Sequence, residues 1–212
     1  MKIFLIIIGI YFLEGCISSP TTSSHFHDTT IVNYTIKQGK PLPTKEWHCY
    51  IAGNDKFCAP EAWGYVKQDS FLFMSDLSKI SAGSYFLVLK EDMSITHVNA
   101  TKYLKKLYLE MKKDNSGVLT GWKAFKIIYS DKEIFHSEYN ISINKIPYKA
   151  YSTVFEFDNN LYDIFLKMEE DDIKPYQEAY NNIIFNFFHK NKLILTSRDK
   201  IIGAKILDLD KL

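Results

Sequence analysis

Residues 149–168 read KAYSTVFEFDNNLYDIFLKM, and this stretch decides the fold. Two strand-like segments, Lys149 to Asp158 and Leu161 to Met168, meet at Asp158-Asn159-Asn160. Asp and Asn tolerate the positive backbone angles of a tight connection, so the two segments form an antiparallel hairpin.

Upstream, Gly121 to Ser130 and Glu133 to Ile143 extend the run of strands. Downstream, helical spacing predicts a helix from Asp172 to about Lys190, with Tyr176, Ala179, Tyr180, Ile183, Ile184, Phe187 and Phe188 as its apolar stripe. Asp172 is the expected cap, and Pro175 is tolerated within the first turn. An earlier helix is predicted from about Asn99 to Lys113, capped by Asn99 and buried along Tyr103, Leu104, Leu107, Tyr108 and Met111. Phe71 to Met74 and Ser84 to Leu89 read as strands before it, and Ile194 to Leu209 adds one after the second helix. Each helix has one apolar face and must cover a sheet. The class is α+β: a single-domain α/β/α-type sandwich, a largely antiparallel sheet with two main covering helices.

Cys49 and Cys58 flank Tyr50-Ile51-Ala52-Gly53-Asn54-Asp55-Lys56-Phe57, with Gly-Asn at the centre. A two-residue turn there pairs Ala52 with Asp55, Ile51 with Lys56, Tyr50 with Phe57 and Cys49 with Cys58. The cysteines then oppose each other at a non-hydrogen-bonded site, within the Cα separation that a disulfide tolerates. A Cys49–Cys58 disulfide is expected, and with it an oxidising compartment.

Phe155-Glu156-Phe157-Asp158-Asn159-Asn160-Leu161-Tyr162, a polar stretch and the Tyr176-to-Phe188 helix together resemble the end of the PsbP-like family. That family also takes in the eukaryotic Ran-binding Mog proteins and many bacterial lipoproteins. Ile184-Phe185-Asn186-Phe187 stands where the family closes on Ile and Ser-Phe, with Asn for Ser. Pro60-Glu61-Ala62-Trp63 is similar to its Pro-x-Gly-Trp, with Ala62 for Gly. The likeness spans roughly residues 58–190, and its motifs are structural. It implies a PsbP-like fold and, by analogy with better-known members, a binding or accessory role without catalysis.

Residues 1–15 read as a signal peptide: Lys2, then the apolar run Ile3 to Leu13. That run is too short to span a bilayer, which takes about 20 apolar residues. Leu13-Glu14-Gly15-Cys16 resembles the lipobox of bacterial lipoproteins, with Glu14 where a small residue is usual. The resemblance implies cleavage before Cys16 and diacylglycerol on its thiol. Residues 16–45 are then a lipidated N-terminus and tether, and residues 46–212 the folded domain. Val32, Tyr34 and Ile36 alternate before Pro41 and Pro43, the pattern of a short strand. Ile17 follows the cysteine in place of the aspartate that often retains lipoproteins in an inner membrane, which favours an outer membrane, facing the periplasm.

Apolar residues make up 46% and aromatics 15%, the composition of a globular chain. The net charge is +1, and Arg198 is the only arginine among 26 basic residues. Nucleic-acid readers favour the guanidinium fork, so nucleic acid is not the expected partner. No nucleophile elbow, phosphate loop or zinc-protease motif occurs, and no cofactor, metal ligand set or catalytic residue is expected. His25-Phe26-His27 could bind a metal ion but reads as a solvated pair in the tether, and His48 and His97 add no recognisable ligand spacing. Glu169-Glu170-Asp171-Asp172 reads as a solvated turn suited to a helix dipole, without the alternating ligands and glycine of a calcium loop. Trp47, Trp63 and Trp122 read as core or hairpin packing. On the first helix, Lys102, Lys105, Lys106 and Lys113 can share the outward side and contact an anionic surface. The function expected is that of a membrane-anchored envelope lipoprotein with a non-catalytic binding domain, partnered by another envelope protein. The alternative is a periplasmic small-molecule or metal carrier, which requires a deep aromatic-lined pocket.

Overall fold

The computed structural model describes residues 30–32, 47–60, 64–67, 71–74, 83–113, 117–129, 132–195 and 201–211. The predicted signal peptide, Cys16, Tyr34, Ile36, Trp63 and most of the expected tether lie outside them.

In chain order the strands are β1 (Thr30–Val32), β2 (Trp47–Ala52), β3 (Asp55–Pro60), β4 (Gly64–Lys67), β5 (Phe71–Met74) and β6 (Tyr85–Asp92). Helices α1 (Met93–Thr96) and α2 (Ala100–Lys113) follow. Next come β7 (Val118–Tyr129), β8 (Lys132–Ile143), β9 (Ile146–Phe157) and β10 (Asn160–Glu169). Helix α3 (Ile173–Ile184), β11 (Phe188–His189), β12 (Lys192–Leu193) and β13 (Ile201–Leu207) complete the fold.

Nine strands form one antiparallel sheet in the order β1-β13-β7-β8-β9-β10-β6-β5-β4. The hairpin read from residues 149–168 lies near its middle: β9 and β10 pair from Phe157↔Asn160 to Tyr148↔Glu169. Asp158 and Asn159 carry φ values of +49° and +60°, the left-handed pair that a primed two-residue turn demands. Because β8, β9 and β10 separate β6 from β7, the connection through α2 crosses the sheet and covers one face. Leu89, Phe135, Val154 and Leu161 pack there against Tyr103, Leu104 and Tyr108 of α2. The alternate residues Val88, Ile134, Phe155, Tyr162 and Ile164 face α3 on the other side. The period-2 pattern thus feeds two cores at once. The class is α+β, as the sequence predicts.

A second sheet, β12-β11-β3-β2, joins the α3 side. Phe57 stacks on Phe187 at a centroid distance of 5.6 Å, and Phe187 meets Tyr162 and Phe155 edge-on. The sequence reading runs the second helix to about Lys190. It ends at Ile184 instead, because Phe185 and Asn186 turn the chain. Asn186 Nδ2 donates to the Asn182 carbonyl, and the chain enters the small sheet at Phe188. Asp172 makes no capping hydrogen bond, since the carboxylate run forms a 3-10 turn at Glu170–Asp172 that leads straight into the helix.

The register of β2 and β3 is the one expected, with Cys49 opposite Cys58 and the disulfide closed at a Cα separation of 3.9 Å. Gly53, at φ +57°, takes the turn position that L-residues resist. Replacing both cysteines by serine is expected to lower stability by about 2 kcal/mol, given so short a loop. Urea unfolding of the oxidised parent and the double variant measures it, and equal midpoints would show that the bond adds nothing.

Candidate interaction face and its buried supports

Helix α2 is held at several points by polar contacts that fix which side faces outward. At its start, the Ala100 N–H donates to Glu156 Oε1 (2.6 Å) and the Lys102 N–H to Asn99 Oδ1 (2.9 Å). Asn99 is therefore the predicted cap, assisted by a glutamate from β9. Further along, the Tyr103 hydroxyl donates to Asp163 Oδ2 at 2.8 Å. Near the C-terminus, the Tyr108 hydroxyl donates to Asp210 Oδ1 at 2.9 Å, and Lys112 Nζ pairs with the same oxygen at 2.7 Å. Lys112 Nζ also lies 4.6 Å from the centroid of the Tyr108 ring. The Asp210 bond pushes the Lys112 ammonium up to about 12.

The five predicted apolar positions of this helix all face the sheet, Tyr103, Leu104 and Tyr108 buried and Leu107 and Met111 partly so. Lys102 and Lys113 are exposed, and Lys105 and Lys106 half-buried. At roughly 100° per residue, Lys102, Lys106 and Lys113 fall within about 60° of one another, with Lys105 beside them. The structure brings the four together as one stripe. The ion pair found on it joins Lys106 Nζ and Glu110 Oε1 at 3.9 Å.

Beneath α2 lies a carboxylate that the sequence reading missed. Asp163 is 1% exposed and accepts from Ser152 Oγ (2.7 Å) and Tyr103. Burial pushes its carboxyl up to about 6, although both hydroxyl bonds pull the other way. On the same face, Ser137 Oγ and the Tyr139 hydroxyl are buried without a hydrogen-bond partner among the described residues. A lone Asp in an otherwise apolar strand, with both faces covered, was the available signal.

A second missed cluster joins the two sheets. Asp55, on β3, accepts from the Tyr162 hydroxyl (2.9 Å) and from His189 Nδ1 through Oδ1 (2.7 Å), and pairs with Lys90 through Oδ2 (2.7 Å). His189 Nε2 reaches Asp158 Oδ2 at 2.9 Å, and Lys190 pairs with Asp158 as well. Those bonds hold the Asp158 carboxyl below its ordinary range, Lys190 contributing most. Both imidazole nitrogens thus face carboxylates. The arrangement clasps the small sheet to the large one and leaves no ring nitrogen for proton transfer to a substrate. A hollow of about 130 Å³ beside it, bordered by Ile51, Asp55, Lys56 and Lys190, is smaller than the 300–1,000 Å³ usual for a ligand pocket. None of the residues lining it is aromatic.

The carboxylates Glu170 and Asp171 are exposed, and no group of metal-ligating residues occurs among the described residues. Trp122 stacks on Tyr139 at 4.5 Å, and Trp47 packs against the core on the α3 side. Both are packing residues, as read. His97 is exposed at the end of α1.

No family model matches the chain. The chain is similar to glycine–tRNA ligase beta subunits of Buchnera aphidicola subsp. Acyrthosiphon pisum, strains Tuc7, 5A and APS, at 28% identity over 130 residues. The match takes in 54% of this chain and 18% of each subunit, so it spans less than a fifth of those relatives' length. Among solved structures, the cyanobacterial PsbP (CyanoP) of Synechocystis sp. PCC 6803 is similar at 15% identity and a TM-score of 0.49, covering 73% of this chain and 98% of that one. A Bacteroides thetaiotaomicron VPI-5482 crystal structure is similar at 12% identity and a TM-score of 0.42, covering 68% and 48%. No residue role is carried across from any of them.

Proposed function

We propose that this chain is an exported lipoprotein, anchored through Cys16, whose α+β domain serves as a non-catalytic binding or accessory module in the cell envelope, at the periplasmic side of an outer membrane. The observation that supports this is the pairing of Cys49 with Cys58. A disulfide belongs to an oxidising compartment outside the cytosol. It also consumes two of three cysteines, leaving Cys16, at the end of the apolar leader, as the thiol for lipid. Several acyl chains on one residue make attachment effectively permanent, so the domain works within reach of a bilayer.

Mass analysis of the mature protein from its native envelope tests the reading. The expected result is an N-terminal Cys16 bearing acyl chains, with two hydrogens missing across Cys49 and Cys58. Cys16→Ser is expected to move the protein from the membrane fraction to the soluble one. A free thiol at residue 16, or a mature N-terminus elsewhere, would overturn it.

A further inference from the structure

We infer that the outward stripe of α2 is a docking face for anionic lipid headgroups, one that lays the domain against the membrane to which it is tethered. The nearness to a membrane rests on the lipoprotein reading; the chemistry of the face does not. Lys102, Lys105, Lys106 and Lys113 share the stripe, opposed by Glu110 and, near Lys106, by Glu91. Charge alone would suit an acidic protein as well as a bilayer. Leu109 decides between them. It sits at the centre of the stripe, within about 20° of Lys102 in helical projection, and is 40% exposed.

An apolar side chain framed by lysines on the outer face of a helix is the pattern of an interfacial segment: the ammonium groups meet headgroups while the leucine enters the acyl boundary. Each lysine near an anionic surface contributes roughly a fivefold gain in affinity. The polar pins at Glu156, Asp163 and Asp210 hold the helix in one rotation, so the stripe is presented without first having to order itself. Thirteen residues separate Cys16 from Thr30, where the first described strand begins. A chain segment of that length reaches at most roughly 50 Å, so the anchor keeps the face within reach of the bilayer even if its own affinity is weak.

The test uses the chain from Ile17 to Leu212, which holds every described element and carries no lipid, with vesicles of phosphatidylcholine alone or with about 30 mol % phosphatidylglycerol. Co-sedimentation is expected with the anionic vesicles only, weakening at least about tenfold between about 50 and about 300 mM salt. K102E/K105E/K106E/K113E is expected to lose at least about tenfold in affinity, and Leu109→Ser several-fold. Leu109→Ser leaves thermal unfolding unchanged because the position is exposed, and K102E/K113E, at the two exposed lysines, keeps the parent's unfolding while losing several-fold in affinity. The inference falls if the parent ignores anionic vesicles at low salt, or if the quadruple variant binds them as the parent does. It also falls if Leu109→Ser is silent while soluble polyglutamate competes fully, since the face would then read charge on a polymer and not a bilayer. Because no lipid is attached in this assay, its outcome is independent of the mass measured at Cys16.

Discussion

Asp55→Ala is expected to destabilise the fold by about 3–5 kcal/mol, lowering the thermal midpoint by roughly 10 °C or more. Asp55 is 4% exposed and is the shared acceptor for Tyr162, His189 and Lys90. Truncation removes the buried acceptor that Tyr162 and His189 share and leaves that pair only each other, at 3.1 Å, and a buried group short of a partner costs more than a hydrogen bond gains. Lys90 has a partly exposed side chain and can turn to water, so the loss falls chiefly on the other two. The effect should be local at first: amides of β2, β3, β11 and β12 should exchange faster than those of β8 to β10, because the clasp joins the small sheet to the large one. Asp55→Asn keeps one acceptor and should cost about half as much. Lys190→Ala removes only an exposed partner of Asp158 and should change stability by about 0.5 kcal/mol or less. If Asp55→Ala unfolds within about 1 kcal/mol of the parent in urea, the cluster does not hold the sheets together.

What the sequence made legible follows from how local each signal is. Gly53-Asn54 and Asp158-Asn159 write their own turns, and the paired positions follow by counting outward, which is why the disulfide could be read. Helix α2 begins at a capping Asn and carries an unbroken stripe, so its buried face was legible to the residue. The end of α3 was not. Phe187 fits a helical stripe as well as it fits the core beneath the small sheet, and an apolar residue at a correct spacing does not say which period it belongs to.

The clasp was further out of reach. Asp55 and His189 lie 134 residues apart, and each looks unremarkable in its own segment: one a hairpin partner, the other the supposed tail of a helix. Only the topology brings them together. Asp163 differs in kind, for its oddity is local. Leu161, Tyr162, Ile164, Phe165 and Leu166 are all buried, and the single carboxylate among them breaks the apolar run at a position covered by α2. An acid inside an apolar strand, held by the hydroxyls of Ser152 and Tyr103, is a conflict between charge and burial, and it yields the second large effect.

Asp163→Asn is expected to stabilise the protein by about 1–3 kcal/mol at about pH 7.5 and to remove part of its pH dependence. Burial raises the Asp163 carboxyl from its ordinary 3.8 to about 6 in the folded state. The fold therefore binds this proton more tightly than the unfolded chain does. Below about pH 4 the group is protonated in both states and carries no ionisation penalty. Between about pH 4 and 6 the penalty grows, and above about 6 it is complete, at ~3 kcal/mol for a shift of this size. Asparagine abolishes the charge while its carbonyl still accepts from Tyr103 and its amide donates to Ser152 Oγ. One amide N–H is left over, which trims the gain. Glu91 and Glu110, also raised by burial, tilt the curve in the same direction, whereas the lowered Asp92, Asp158 and Asp210 tilt it oppositely at more acid pH. The slopes from Glu110, Asp92, Asp158 and Asp210 are common to parent and variant, so their difference reports residue 163 together with its coupling to Glu91. Urea unfolding at about pH 4, 5, 6 and 7.5 should show the variant's advantage widening with pH and levelling above about 6. An advantage constant across that range would mean that the carboxylate is not the strained group. A variant less stable at every pH would mean instead that the bonds to Ser152 and Tyr103 outweigh the cost of burying the charge.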